Sequence, residues 1–599
     1  LNICSQKGLG EIFDGSVGAG TVLWPFGGDR QLTPPDAMVA KLPLLQGDTD
    51  VCTYMSWGFN PEISSYSPFH GALYAVTESV CKAVAAGARL PDIRLTLQEY
   101  FPKLGNDATR WGQPFAALLG AYQAQHSLRL AAIGGKDSMS GSFNELDVPP
   151  TLVSFALAPG KASLALSPEF KQPGSTISFV EISRDADQLP DFTELKQVAA
   201  ALHELNIDGK ILALHHIGQA GIAAALAKMA FGNHIGAEIN TTLDLSHERY
   251  FAFLIEHAKP LPVEFSSLEI GHTTEVGTLV LNSEAHTLAE LEDAWTRTLE
   301  PIYPTKPETS SELGDLGVLA VQTTKTQNSK SKIARPKVII PSFPGTNSEY
   351  DSAKAFREAG ADAEILVFRN LSAKHIEESL AALAAQIRQS QILMFPGGFS
   401  AGDEPDGSAK FIATIIRSPR VADAIMDLLK NRDGLILGIC NGFQALVKTG
   451  LVPYGEIRDT HAEAPTLVHN SIGRHISCYA RTRVVSQLSP WLANCEIGDI
   501  HRVPVSHGEG KFFASPEIIA ALAQNGQIAT QYCDADGAPS MDIAINPNGS
   551  LAAIEGITSP CGRVFGKMAH TERAGTQVAK NIPGDKHQPI FQAGVAYFA

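Results

Sequence analysis

The run Gly438-Ile439-Cys440-Asn441-Gly442-Phe443-Gln444 sets a cysteine where an apolar segment gives way to a helical one. Residues 434–440 read as a strand, and Ala445, Leu446 and Val447 continue as a helix that stops at Gly450. A thiol on such a turn suits nucleophilic attack, because glycines two residues before and after let the backbone turn and lift the side chain into a cleft. The helix start adds the positive end of a dipole, which favours thiolate over thiol. A thiol nucleophile also needs a base, and the base needs an orienting group. Gly566-Lys567-Met568-Ala569-His570-Thr571-Glu572-Arg573 offers both types: His570 and Glu572 are two apart, so an extended backbone puts them on one face. Taken singly, these are a buried cysteine at an ordinary corner and a surface His–Glu pair. Their joint presence favours the chemical reading.

The elements around Cys440 alternate between strand and helix. Apolar runs at 337–342, 364–368, 391–396 and 434–440 are separated by helical periodicity at 348–359, 372–388 and 421–429. That order predicts a parallel sheet covered on both faces, with ligands at the carboxyl ends of its strands. Pro396-Gly397-Gly398 and Cys440 both fall at such ends. The polar run from Thr323 to Lys332 marks a linker over 323–335, which leaves 336–599 as one domain. Before it lie two blocks, 1–160 and 161–322. The first has strands near 20–25 and 152–158 and helices near 73–86 and 113–123. The second ends in a strand at 278–282 and an amphipathic helix at 288–298.

Composition narrows the class. A chain of 599 residues is too long for one core. The formal charge of −16, with no basic stripe, argues against a nucleic-acid partner. No apolar stretch reaches the roughly 18 residues of a membrane span. The eight cysteines include no CxxC pair, which points to reduced thiols in the cytoplasm and to no structural zinc. Leu1 is not an initiator methionine and the first residues lack a signal-peptide pattern, so the chain reads as a fragment.

Gly438-x-Cys440-x-Gly442-x-Gln444 with a late His570-x-Glu572 resembles the class I glutamine amidotransferases. Phe343-Pro344-Gly345-Thr346-Asn347, Pro396-Gly397-Gly398-Phe399-Ser400-x-Gly402-Asp403 and Val505-Ser506-His507-Gly508-Glu509-Gly510 narrow this to the glutaminase domain of phosphoribosylformylglycinamidine synthases. Before the linker, Phe13-Asp14-x-x-Val17-Gly18, Thr33-Pro34-Pro35-Asp36-Ala37-Met38, Gly134-Gly135-Lys136-Asp137-Ser138 and Ala227-Lys228-Met229-Ala230-Phe231-Gly232 are similar to the second synthetase half of the large single-chain type.

The resemblance implies a mixed α/β and α+β architecture: a two-subdomain aminoimidazole-ribonucleotide-synthetase-like half, then a flavodoxin-like glutaminase. It implies ATP-dependent amidation of formylglycinamide ribonucleotide in purine biosynthesis, with glutamine as nitrogen donor. Cys440 would be the nucleophile, His570 the base and Glu572 its orienting group. Backbone amides near Gly398 and Asn441 would face the oxyanion, and Gln444 would touch glutamine or simply pack. ATP and magnesium would serve the whole enzyme, with formylglycinamide ribonucleotide and ATP bound together with a missing N-terminal half. None is expected on this fragment alone. A stand-alone cysteine hydrolase and a non-catalytic scaffold are the alternatives.

Several residues carry weaker expectations. Gly134, Gly135, Lys136, Asp137 and Ser138 are either a phosphate cradle or a plain loop. Relatives hold an auxiliary magnesium nucleotide where this chain keeps Asp36 and Glu78 but has Lys82 and His216 in place of an asparagine and an aspartate. An ammonium repels magnesium and can pair with Glu78 four residues away, so this site is expected to have lost its metal. His507 is either a cleft residue or locally bonded, and Asp403, Glu404 and Asp406 are an acidic loop near the cleft.

Overall fold

The computed structural model describes residues 4–307, 329, 332–399, 409–459 and 461–599, and three large sheets organise them. The sheet nearest the carboxyl terminus has nine strands. Five are parallel, in the spatial order Asp362–Val367, Lys337–Ser342, Ile392–Phe395, Leu435–Ile439, Val564–Lys567. Numbered along the chain that order is 2-1-3-4-5, the flavodoxin-like arrangement. Strands Ile554–Thr558, Ile528–Tyr532, Ile476–Val484 and Ile500–His507 extend it in antiparallel fashion.

Each expected parallel strand is present; Lys337–Ser342 falls where expected, and the others have ends shifted by one or two residues. Their continuous apolar runs reflect burial on both faces. Helices Ala373–Gln389 and Pro419–Lys430 pack on the sheet through Leu383 and Ile387, and through Val421, Ile425 and Leu428. Ser372 caps the first of these by accepting the His375 N–H.

A five-stranded sheet orders Met38–Lys41, Val51–Gly58, Thr151–Lys161, Arg94–Tyr100 and Ala132–Lys136. Helix Pro68–Ala85 buries Leu73, Val76 and Val80 in the core beside it. The other face leaves Met38, Met55 and Trp57 exposed. A seven-stranded sheet follows, with helices Phe192–Ile207, Gly221–Phe231 and Leu288–Thr296.

One strand expectation is corrected. Residues 20–25 form no strand; they make one bridge, Thr21 to Ala40. Thr21 O and Val22 O instead accept the N–H groups of Ala579 and Lys580, and Trp24 N–H donates to Asn581 Oδ1. The carboxyl-terminal segment takes the bonds a neighbouring strand would have used. Most of the expected linker, together with Asp403, Glu404 and Asp406, lies outside the described residues. No helix among the described residues is long and apolar enough to cross a membrane.

Candidate active site

Packing builds the turn at Cys440. The residue follows the buried strand Leu435–Ile439 and adopts φ 53°, ψ −108°. A left-handed backbone in a residue that carries a Cβ costs on the order of 1–3 kcal/mol. Its N–H donates to Lys567 O at 2.8 Å, and helix Asn441–Thr449 begins at the next residue. The flanking glycines serve close approach: a Cβ on Gly442 would lie 2.0 Å from Phe395 O, and one on Gly438 2.6 Å from Leu446 Cδ1. Sequence reasoning placed the conformational freedom in the glycines. The structure places the strain on Cys440.

His570 Nδ1 pairs with Glu572 Oε1 at 2.6 Å, and both side chains are buried. The second ring nitrogen, Nε2, is buried with no hydrogen-bond partner among the described residues. Burial works against the Glu572 carboxylate, but the His570 charge and hydrogen bond and the Arg573 guanidinium outweigh it and hold the group below its ordinary range. The backbone of Gly397 lies against the ring, since a Cβ there would be 2.5 Å from His570 Cε1. The next residue, Gly398, has φ 148° and no room for a side chain, with Gly345 O 2.4 Å from its Cβ position.

Burial pushes the Cys440 thiol up to about 12; Arg573 and the Asn441 N–H pull the other way, while Asp14 and Glu572 reinforce the rise. The sulfur donates to Ser506 O at 3.6 Å. The helix dipole, which favours a thiolate, is opposed by this burial. One helix end is worth at most about 2 kcal/mol, and complete desolvation of the sulfur exceeds it.

Arg573 is the site residue that sequence reasoning left without a role. Its buried guanidinium bonds Asp14 Oδ2 at 2.8 Å, Ser16 Oγ at 2.7 Å, Ser348 Oγ at 2.8 Å and Asn347 Oδ1 at 3.3 Å. Its Nε stands 3.9 Å from both Glu572 Oε1 and Asp351 Oδ2. Gly18 N–H meets Asp351 from the other side at 3.0 Å. The Phe13-Asp14 motif near the amino terminus is thereby wired to the His570–Glu572 pair. A signal existed, an arginine adjoining Glu572, but its partners are more than 200 residues away.

Gln444 has its amide committed within the protein, accepting from Asn441 Nδ2 at 2.8 Å and donating to Glu509 O at 2.6 Å. It ties the turn to the loop after Ser506. His507 is buried against Asn470 Oδ1 at 3.2 Å, and desolvation, with His475 and His570 close by, lowers it to about 3. It is a neutral wall residue. His475, not singled out in the sequence, donates to or accepts from Ser506 Oγ at 3.0 Å.

The other candidates lie away from this cluster. Gly134, Gly135 and Lys136 are not a loop but part of an exposed edge strand, in parallel register with Thr96, Leu97 and Gln98. Asp137 follows, its carbonyl taking Lys136 Nζ at 3.3 Å, and Ser138 pairs with Ser140 at 2.8 Å. Glu78 forms an ion pair with Lys82 at 2.7 Å, and that ammonium also lies over the Trp57 ring. Asp36 Oδ2 accepts from His215 Nδ1 at 3.0 Å and from His216 N–H at 3.1 Å. Both carboxylates thus already have cationic or hydrogen-bonding partners. This donor set, with an ammonium inside it, does not fit a magnesium ion, which takes oxygen ligands.

Comparison with known proteins agrees with this geometry. Residues 335–598 match the CobB/CobQ-like glutamine amidotransferase domain. The PurQ subunit of phosphoribosylformylglycinamidine synthase from Dehalococcoides mccartyi is 36% identical over 241 residues, 40% of this chain and 86% of that protein. This chain belongs to the PurQ family. A second PurQ, from Methanococcus maripaludis, is 34% identical over 40% of the chain and 82% of its own length. Outside the PurQ region, residues 166–294 match the carboxyl-terminal domain of AIR synthase related proteins. A solved PurLQS structure from Thermotoga maritima aligns over 44% of this chain and 100% of its own, at 24% identity and a TM-score of 0.32.

Proposed function

We propose that the chain is the second synthetase half and glutaminase of a single-chain phosphoribosylformylglycinamidine synthase, and that Cys440, His570 and Glu572 are its glutamine-hydrolysing triad. The reading rests above all on the buried His570–Glu572 pair, whose unpartnered Nε2 shares the carboxyl edge of the sheet with the strained Cys440. The Cys440 sulfur attacks the glutamine carboxamide carbon as His570 Nε2 takes the thiol proton, and Glu572 stabilises the imidazolium. Amides of Asn441 and near Gly398 face the oxyanion. His570 returns the proton to the departing ammonia, and water then hydrolyses the glutamyl thioester.

The ammonia would replace the ATP-activated amide oxygen of formylglycinamide ribonucleotide at a site shared with another synthetase half. A partner half is supported by the uncovered sheet face. Met38 sits beside Met55 in register, and Trp111, Phe115 and Tyr122 on helix Ala108–Leu128 are also exposed. ATP and magnesium belong to that shared site; Asp36 and Glu78 hold neither. The eight free cysteines suit a cytoplasmic enzyme.

Cys440→Ser tests the reading. Glutaminase activity should vanish, while the enzyme assembled with its amino-terminal half should still form product from free ammonia. Glutamine hydrolysis above about one part in a thousand of wild type would refute the triad, since removing a nucleophile costs far more than that. Comparing glutaminase with esterase or peptidase activity, with and without the other half, separates this enzyme from a general cysteine hydrolase or a scaffold.

A further inference from the structure

Away from the triad, the Cys495 sulfur, an Asp499 carboxylate oxygen and a His501 ring nitrogen lie within 4.8 Å of one another. All three come from one reversal of the chain. Cys495 N–H closes on Leu492 O, Gly498 turns the backbone at φ 102°, and Asp499 Oδ2 accepts the Glu496 N–H at 2.7 Å. His501 is the second residue of the edge strand Ile500–His507, so it and Asp499 share a face. Cys495 and His501 are buried, and His501 Nδ1 has no hydrogen-bond partner among the described residues. Buried polar nitrogens are nearly always satisfied, so this vacancy calls for a ligand. The charges of Asp499 and Asp585 bear on both Cys495 and His501, as does the Lys567 ammonium, so the two carboxylates outnumber the one fixed cation.

We propose that Cys495, Asp499 and His501 bind one zinc-like divalent cation, with water completing the shell. Thiolate and imidazole select a borderline-soft ion over magnesium or calcium. Ligand atoms in a tetrahedral zinc site stand about 3.6 Å apart, somewhat closer than the 4.8 Å that bounds these three. The strand that begins at Ile500 ends at Ser506 and His507, the wall of the candidate active site. The cation therefore clamps one end of a strand whose other end meets the Cys440 sulfur. Such a set has no CxxC pair to mark it in the sequence, because one thiol is joined by a carboxylate and an imidazole.

The test uses the full chain in a Cys440→Ser background, stripped with chelator and titrated with cobalt(II) and then zinc(II). One cobalt per chain is expected, with a sulfur-to-cobalt charge-transfer band that zinc displaces. Cys495→Ser should abolish the band and weaken binding at least 100-fold. Asp499→Asn, which keeps the Glu496 hydrogen bond, should weaken binding about 10-fold. Zinc should also raise the melting temperature of the parent chain, a measurement independent of any variant's folding. A band unchanged by Cys495→Ser, or a melting temperature unmoved by excess zinc, would overturn the proposal. The readouts do not involve glutaminase activity, so they stand or fall apart from the triad.

Discussion

Gly397→Ala is the most informative single change to the candidate site, because it adds one methyl group beside the proposed base and removes nothing. The new Cβ would sit 2.5 Å from His570 Cε1 and 3.3 Å from both His570 Nδ1 and Ser348 Oγ. An ordinary carbon contact begins near 3.4 Å, so the imidazole must retreat by about 1 Å. It cannot retreat freely, because Nδ1 is held by Glu572 at 2.6 Å and the neighbouring Ser348 is held by Arg573 at 2.8 Å. A misplacement of about 1 Å in a reacting group costs roughly 100-fold in rate. The crowding itself should lower stability by about 1–3 kcal/mol. We expect kcat for glutamine hydrolysis to fall about 100-fold with KM changed less than threefold, and a cooperative thermal transition to persist. Steady-state glutamate production, read beside calorimetry, makes the measurement. A wild-type kcat in a folded Gly397→Ala chain would refute the argument, for it would mean that the His570 ring is not the group whose position limits the reaction.

Other consequences follow from the same geometry. His570→Ala should cost nearly as much glutaminase activity as loss of Cys440, and Glu572→Gln less, because the carboxylate acts only through the imidazole; near-normal turnover in His570→Ala with loss in His507→Ala would move the base to His507. Arg573→Met strips the part-buried Asp14 of its cation, and denaturant titration should show a destabilised chain; Asp14→Asn in the same background should recover part of that loss. His507 carries a pH signature. Its folded value of about 3 lies below the ordinary imidazole value, so its contribution is present above about pH 6.5 and lost as pH falls toward 3. Stability should therefore fall as the pH drops through that window on its account, and His507→Asn should remove that slope in unfolding measured between pH 4 and 6.

Much of this protein was written in local pattern. The buried parallel strands announce themselves as apolar runs because both faces are covered, and the turn at Cys440 is marked by glycines that no bulkier residue could replace. His570 and Glu572 do pair, but on a turn closed by the Arg573 N–H donating to His570 O, not on the extended backbone that their spacing suggested. Even the Glu78–Lys82 pair followed from helical spacing. These features depend on neighbours within a few residues, which sequence displays directly.

What depended on distant neighbours was not legible. Residues 20–25 have the composition of a strand, yet residues 579–581 took their hydrogen bonds. The helix dipole favours a thiolate at Cys440, but the helix end is local, whereas the desolvation that opposes it is a property of the whole core. Gln444 found a partner in Glu509, 65 residues on, which no neighbour in sequence announces. Arg573 gained Asp14 from the opposite end of the chain. The sequence alone determined which groups could do chemistry and which elements would carry them. Only the tertiary structure decided their charge states and their partners, because burial and pairing arise when segments far apart in the chain exclude water together.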